Sequence, residues 1–168
     1  MTRHARRAAL LYGIAAGAYL TDRLSKLWAE HVLATGPFIG VGPFRLAYTT
    51  NSGGAFGIGQ RAPLLFAFAT LVVVGAIVYS SFRLERALVA VGLGLLLGGA
   101  LGNLTDRLVR AGGFLDGRVV DFIDVRFWPV FNLADSAVVI GAVLLAVAAF
   151  VHPRERPDPG ADRPRDAG

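Results

Sequence analysis

Residues 62–82 run for 21 positions without a charged side chain and residues 87–105 for another 19, parted only by Arg83-Leu84-Glu85-Arg86. At about 1.5 Å of rise per residue, each run as a helix crosses a hydrocarbon core about 30 Å thick. Two such runs joined by four residues predict a pair of membrane-spanning helices with a tight, arginine-bearing cytoplasmic turn. Two less clean spans flank them. Residues 8–28 carry Asp22, Arg23 and Lys26 in their last two turns, and residues 128–151 carry Asn132 and Asp135 in their first two.

Charge placement orients the spans. The net charge is +5 and the pI near 10.4, which alone would fit a nucleic-acid binder. The densest arginine groups, however, are Arg3/Arg6/Arg7, Arg83/Arg86 and Arg154/Arg156/Arg163/Arg165, each beside an apolar stretch. That is a topology signature, not a basic groove with interleaved aromatics. With these groups inside, the chain has four spans and both termini cytoplasmic, and Arg45, Arg61 and Arg118 fall outside. A hydrophobic share of 54% with a mean hydropathy of +0.54 excludes an ordinary soluble domain. The basic start followed by an apolar run imitates a secretory signal, but the helical pattern continues past Leu20, so a retained first helix is expected. Residues 1–152 then form one membrane domain, and the Pro/Asp/Arg/Gly-rich residues 153–168 a disordered cytoplasmic tail. Of the two outer segments, about 30–61 and 106–127, the first contains Phe38-Ile39-Gly40-Val41-Gly42-Pro43-Phe44, which suggests short strands or turns.

The absence of cysteine removes disulfides, thiolate metal sites and a Cys nucleophile. His4, His31 and His152 are scattered, with His31 read as a solvated interfacial residue, so a Ser-His-Asp triad or multi-histidine zinc site has little to work with. No metal, no cofactor and no nucleic-acid partner is expected.

The polar residues inside the spans gather at one depth. Counted from the cytoplasmic end, Asp22 lies about 21 Å up, Lys26 about 27 Å, Asn103 about 24 Å, Asp106 about 28 Å, Asp135 about 24 Å and Asn132 about 28 Å. Three helices thus place polar groups in one layer just beneath the outer surface of the core. Intramembrane charge is costly, so such a layer is a site by default. Lys26 is the only lysine, and the only asparagines, Asn51, Asn103 and Asn132, lie in or beside this layer. Asp22 and Lys26 stand four apart and can pair on one helix face, which by itself reads as an anchoring salt bridge. Gly94, Gly98 and Gly102 recur every four residues with Asp106 next on that face, so close helix packing should deliver Asp106 to a helix interface. Arg107 can pair with Asp106 or snorkel outward.

Two carboxylates sharing a proton can activate water and protonate a leaving amine without metal or histidine. The acidic candidates are Asp106, Asp116, Asp121, Asp124 and Asp135. Asp135 sits deepest, on an otherwise apolar helix. Asp121, between Val119-Val120 and Phe122-Ile123, suggests a segment dipping toward the membrane. Asp116, beside Gly117, reads as a turn residue, while Asp124 is not excluded by chemistry. A small transporter with the polar layer as an ion relay competes with this reading, although the inner halves of all four spans are uncharged. A scaffold protein would explain the glycine face but not the asparagines and aspartates.

Five blocks in order carry a resemblance: Asp22-Arg23-Leu24-Ser25-Lys26, Asn51-Ser52-Gly53-Gly54-Ala55-Phe56, Asn103-Leu104-Thr105-Asp106-Arg107, Val119-Val120-Asp121-Phe122 and Phe131-Asn132-Leu133-Ala134-Asp135-Ser136. They resemble the signature blocks of the lipoprotein signal peptidase family (signal peptidase II), and with length and span count the resemblance covers about residues 8–151. It implies an all-α membrane protein, a four-helix bundle with a small extracytoplasmic β-cradle, in the bacterial plasma membrane with its active site near the extracytoplasmic face. It implies an aspartic endopeptidase in which Asp121 and Asp135 are catalytic and Asp124 is not. Asp22, Lys26, Asn51, Gly53, Asn103, Asp106, Arg107 and Asn132 would support the dyad or position substrate. The implied substrates are diacylglyceryl-modified prolipoproteins cut before the lipidated cysteine, and inhibition by globomycin-type peptides is expected. Gly54 stands where alanine is more typical, and residues 108–118 form a longer stretch than the family pattern leads one to expect.

Overall fold

The computed structural model describes residues 2–52, 63–110 and 117–151. Four helices and three strands follow in the order α1 (Arg3–Leu33), β1 (Ile39–Val41), β2 (Phe44–Asn51), α2 (Pro63–Ser81), α3 (Ala87–Val109), β3 (Val119–Asp124) and α4 (Leu133–Phe150). The protein is mostly helical, with one small antiparallel sheet ordered β1-β2-β3. The tail 153–168 and His152 lie outside the described residues, as do Gly53, Gly54, Asp116 and the middle of the 108–118 stretch.

Among the described residues, α3 and α4 are each long and apolar enough to cross a membrane, and Ala67–Ser81 of α2 is a shorter apolar helix. Their outward faces are unlike those of a soluble core helix. Val139, Ile140, Val143, Val147 and Phe150 of α4, and Leu65, Phe68, Val72 and Tyr79 of α2, are exposed. An apolar surface of this extent belongs in lipid.

Several helix ends differ from the sequence expectation: α1 starts at Arg3 and α3 continues to Val109, and two further ends have clear local causes. The first helix extends beyond residues 8–28 to Leu33, because no breaker intervenes until Gly36-Pro37. The fourth begins at Leu133, not near residue 128. Phe131 is tied to Ile123 by two backbone hydrogen bonds of 2.8 and 3.1 Å, and Asn132 serves as the N-cap. The cap is reciprocal: Asn132 Oδ1 accepts from Asp135 N at 2.9 Å while Asp135 Oδ2 accepts from Asn132 N at 3.2 Å.

Helix α3 sits at the centre, packed against α1 on one side and α4 on the other. Glycine makes this possible. A Cβ on Gly94 or Gly98 would meet Leu11 O at 2.6 Å or Ala15 O at 2.5 Å on α1, and one on Gly141 would meet Gly92 O at 2.7 Å across the α3/α4 contact. The apolar core here is Leu11, Ala15, Ile77, Leu84, Ala90 and Leu97, while a second cluster of Ala29, Leu33, Val120 and Phe122 joins the far end of α1 to the sheet. At the opposite end of the bundle Arg86 donates to the last carbonyls of α4, Ala148 O at 2.5 Å and Val151 O at 2.7 Å. These are the groups a helix C-terminus leaves without an internal partner.

The segment expected to lie outside does form strands. β1 and β2 make a hairpin with Val41 opposite Phe44, turning at Gly42, whose φ of 61° suits glycine. β2 then pairs with β3, placing Thr49 opposite Asp121 and Arg45 opposite Asp124, with a register irregularity between Leu46 and Thr49.

Candidate active site

Strand β3 separates its two aspartates. Successive side chains on a strand alternate faces, so Asp121 and Asp124, three apart, point to opposite sides. Asp124 is held from without: Arg45 donates to its Oδ2 from Nε at 3.0 Å and from a terminal nitrogen at 2.5 Å, and Arg126 N donates to Oδ1 at 2.7 Å. Arg126 reaches this position in a left-handed conformation with φ of 66°. These donors hold the Asp124 carboxyl below the usual carboxylate range.

Asp121 faces inward, 3% exposed. Asn132 Nδ2 donates to its Oδ1 at 2.6 Å, and Asn51 on the end of β2 adds a further side-chain hydrogen bond. Burial, and then the negative charge of Asp135, push the Asp121 carboxyl up to about 7, against the opposing pull of Asn132, Lys26 and Asn51. Asp135 stands in the first turn of α4, where the helix N-terminus favours negative charge. Besides the Asn132 backbone it accepts from Asn103 Nδ2 at 2.9 Å.

Both aspartates line one cleft of about 370 Å³ with Asn51, Asn103 and Arg107. Its other wall is apolar, made by Trp128, Pro129, Val130 and Phe131 before α4 and by Val138 and Val139 on it, with Thr70 contributed by α2. Arg107, only 7% exposed, reaches Ser52 O at 3.4 Å and so stands beside the cleft instead of snorkelling away. Asn132 is fully buried at the junction of the two aspartates, its amide also donating to Val120 O at 3.2 Å.

Behind the cleft, Asp22, Lys26 and Asp106 are each fully buried and form one ionic cluster. Lys26 Nζ lies 2.8 Å from Asp22 Oδ2 and 3.1 Å from Asp106 Oδ2, so the i,i+4 pair expected on α1 is also a bridge to α3. Asp22 Oδ1 accepts from Ala134 N at 2.9 Å, and Asp106 Oδ2 from Val120 N at 3.2 Å. Asp106 Oδ1 pairs with Arg23 and, at 2.9 Å, with Arg110 Nε. Arg110 in turn grips Glu30 with two hydrogen bonds of 2.7 and 3.0 Å.

Of the residues singled out by sequence, Asn51, Asn103, Arg107, Asp121 and Asp135 line the cleft, Asn132 joins the two aspartates, and Asp22, Lys26 and Asp106 stand behind it. Gly53 lies outside the described residues. Arg110 and Glu30 were not singled out. Arg110 had a signal, since it follows Asp106 by four helical positions. Glu30 had none, because it meets Arg110 across two helices. Among the described residues no group of three or more metal-ligating side chains occurs.

The model of the family described as signal peptidase (SPase) II matches residues 14–151. A lipoprotein signal peptidase of Streptomyces coelicolor is 43% identical over 89% of this chain and 74% of its own length. One of Mycobacterium avium is 45% identical over 88% and 82%, and one of Pelotomaculum thermopropionicum 42% identical over 82% and 90%. A solved bacterial membrane enzyme superposes with a TM-score of 0.74 at 28% identity, covering 86% of this chain and 92% of its own. A second gives 0.69 at 30% identity over 83% and 92%. The ordered blocks, the cleft and these likenesses agree: the chain belongs to the signal peptidase II family.

Proposed function

We propose that this protein is an intramembrane aspartic endopeptidase that removes signal peptides from diacylglyceryl-modified prolipoproteins, cutting before the lipidated cysteine, with Asp121 and Asp135 as its catalytic pair. The observation that carries this reading is that two aspartates from different elements line one cleft and are joined through a single buried asparagine. Family relatives that bear the lipoprotein signal peptidase name support the substrate class.

The chemistry follows from the surroundings of each acid. Asp121, in the apolar and like-charged setting that raises its affinity for a proton, holds the shared proton and donates a hydrogen bond to the scissile carbonyl oxygen. Asp135, at a helix N-terminus with amide donors around it, acts as the base that takes a proton from water. The water oxygen bonds to the carbonyl carbon as Asp121 gives its proton to the carbonyl oxygen, forming a tetrahedral diol. Collapse breaks the C–N bond, the proton held by Asp135 passes to the departing amine, and Asp121 recovers its own from the diol. A pair of this kind titrates as a unit. The apolar wall of Val138 and Val139, with Thr70 of α2, gives the cleft a side that suits a lipid-embedded substrate.

In this reading residues 1–152 span the membrane four times with both termini cytoplasmic, residues 153–168 form a cytoplasmic tail, and the cleft opens near the extracytoplasmic face. Asn51, Gly53, Asn103, Arg107 and Asn132 position substrate or the dyad, Asp22, Lys26 and Asp106 support it, and globomycin-type cyclic peptides occupy the cleft. The test is cleavage of a purified diacylglyceryl prolipoprotein by wild type, Asp121→Asn and Asp135→Asn, with and without globomycin. Wild-type cutting before the lipidated cysteine, blocked by globomycin and lost in both folded variants, is the expected result. Retained cutting in either variant removes the dyad, and a folded wild type that never cuts removes the substrate assignment.

A further inference from the structure

Lys26, the chain's one lysine, does not line the cleft, yet it is fully buried one residue removed from it. Its ammonium donates a hydrogen bond to Asn103 Oδ1 at 2.8 Å and forms ion pairs with Asp22 Oδ2 at 2.8 Å and Asp106 Oδ2 at 3.1 Å. The contact with Asn103 is the informative one. An asparagine amide has two orientations of nearly equal shape, and only its surroundings choose between them. An ammonium donates and never accepts, so only the carbonyl oxygen of Asn103 can face it. With Oδ1 committed to Lys26, Nδ2 is turned toward Asp135 Oδ1, 2.9 Å away. Asn132 Nδ2 reinforces the choice by approaching Asn103 Oδ1 at 3.3 Å while it holds Asp121 Oδ1 at 2.6 Å.

We propose that Lys26 is a positioning residue: by locking Asn103 in one amide orientation it keeps a hydrogen-bond donor on Asp135 and so fixes which aspartate carries the proton of the pair. This rests on the reading of Asp121 and Asp135 as the catalytic dyad. An apolar residue of the same length offers Asn103 no donor and leaves only the longer 3.3 Å approach of Asn132 to hold the orientation; the ion pairs with Asp22 and Asp106 offset the cost of burying the lysine. Its two counter-ions are tied to the same machinery. Asp22 accepts from Ala134 N on α4, next to Asp135, and Asp106 accepts from Val120 N on β3, next to Asp121. The lysine therefore sets the register of the two elements that carry the dyad as well as the orientation of the amide between them.

Among the described residues, the charged groups around the dyad are Asp22, Arg23, Lys26 and Glu30 of α1, Asp106 and Arg107 of α3, and Arg110 at its C-cap. Asp124 with Arg45 lies on the far face of the sheet. Loss of Lys26 changes the dyad in two ways, directly through its field and indirectly through Asn103, and a titration of the full-length protein in detergent separates them. The protonated carboxyl band is followed by infrared difference spectroscopy and assigned by its loss in Asp121→Asn. Lys26→Met should raise the midpoint by about one pH unit, and in an Asn103→Ala background the same substitution should move it by less than half as much. Asp22→Asn/Lys26→Met removes one charge of each sign, so it cancels most of the field effect and spares the fold an unbalanced carboxylate. The upward shift should persist in it. In the cleavage assay that pair should lose about 100-fold in kcat with KM held within about twofold.

An unmoved midpoint, a shift as large without Asn103 as with it, or a shift that vanishes in Asp22→Asn/Lys26→Met would each overturn the relay. The titration needs no substrate. A wild type that fails to cleave prolipoprotein therefore counts against the functional reading alone, and the midpoints still decide the role of Lys26.

Discussion

Gly98→Ala adds one methyl group where the α3 backbone lies hard against the α1 backbone. The new Cβ would lie 2.5 Å from Ala15 O, 2.7 Å from Ala18 Cβ and 3.1 Å from Tyr19 N. Ordinary carbon contacts are about 3.5–4.0 Å, so the two helices must part by about 1 Å. Overpacking of this sort costs about 1–3 kcal/mol, and alanine's better helix propensity returns at most about 1 kcal/mol. The net expectation is a loss of up to about 3 kcal/mol. Gly17→Ala is the matched control, because nothing lies within 4 Å of a Cβ there; it should leave stability unchanged or raise it by up to about 1 kcal/mol.

Parting α1 from α3 also stretches the 2.8 Å link between Lys26 and Asn103, little more than one turn further along α3. A misplacement of about 1 Å at a catalytic group can cost about 100-fold in rate. Thermal unfolding of the detergent-solubilised protein and prolipoprotein cleavage, measured on both variants, decide the matter. Gly98→Ala should melt below wild type by several degrees, at about 2–4 °C per kcal/mol for a chain of this size, and cleave more slowly, while Gly17→Ala does neither. If Gly98→Ala is as stable as Gly17→Ala, the close approach of the two backbones is wrong, and with it the account of what brings Asp106 and Asn103 to the cleft.

Two further outcomes follow from the acids on β3. The rate of cleavage should fall about tenfold per unit as pH rises beyond about 7, where Asp121 gives up its proton, and a rate that keeps rising to pH 9 would contradict Asp121 as the acid. Stability should shift in the same window: the native state binds the Asp121 proton more tightly than the unfolded chain, so this group withdraws up to ~4 kcal/mol as pH climbs from about 4 to about 7. Melting scans across that range should show the decline in wild type and a smaller one in Asp121→Asn. Asp124→Asn should retain near-normal kcat, because its side chain faces Arg45 on the other side of the sheet, and a dead but folded Asp124→Asn would place that carboxylate in the chemistry.

Much of this site was legible because membrane burial makes polar residues conspicuous. Counting residues along helices whose ends are marked by arginines gathers Asp22, Lys26, Asn103, Asp106, Asn132 and Asp135 into one layer, and hydrogen bonds and ion pairs link their side chains in the structure. The glycine spacing correctly delivered Asp106 to a helix interface, since Gly94 and Gly98 meet α1 backbone and Asp106 is fully buried. Counting fails where the chain leaves the helix. The apolar flanks of Asp121 mark it as buried, but not as lying on a strand whose partner, β2, is about 70 residues earlier in the sequence, because such pairing leaves no local periodic mark. The start of α4 was placed too early for a related reason: Trp128 to Phe131 are apolar enough to read as helix, yet Phe131 is taken by a backbone bridge to Ile123. The grip of Arg110 on Glu30 joins helices whose relative rotation no single-helix pattern specifies.

The contrast between the buried aspartates explains the asparagines. Asp106 is surrounded by cations, Arg23, Lys26 and Arg110, and Asp22 is paired with Lys26, so both are committed to charge balance, Asp106 tying α3 to α1 and Asp22 tying α1 to Ala134 N of α4. The described partners of Asp121 and Asp135 are amides: Asn132 and Asn51 on one, Asn103 and the Asn132 backbone on the other. A cation in direct contact would hold an acid in its ionised form and end its use as a proton donor. An amide orients a carboxyl group through a hydrogen bond while leaving its proton free to come and go. The proposed dyad, which would pass one proton back and forth, therefore needs neutral donors at its surface and needs its cations one residue further away. Lys26, touching Asn103 but neither of the carboxyls proposed as catalytic among the contacts described, stands at that distance. Moving a positive charge inward, as Asn103→Lys would do, should therefore abolish cleavage even in a variant that melts like wild type.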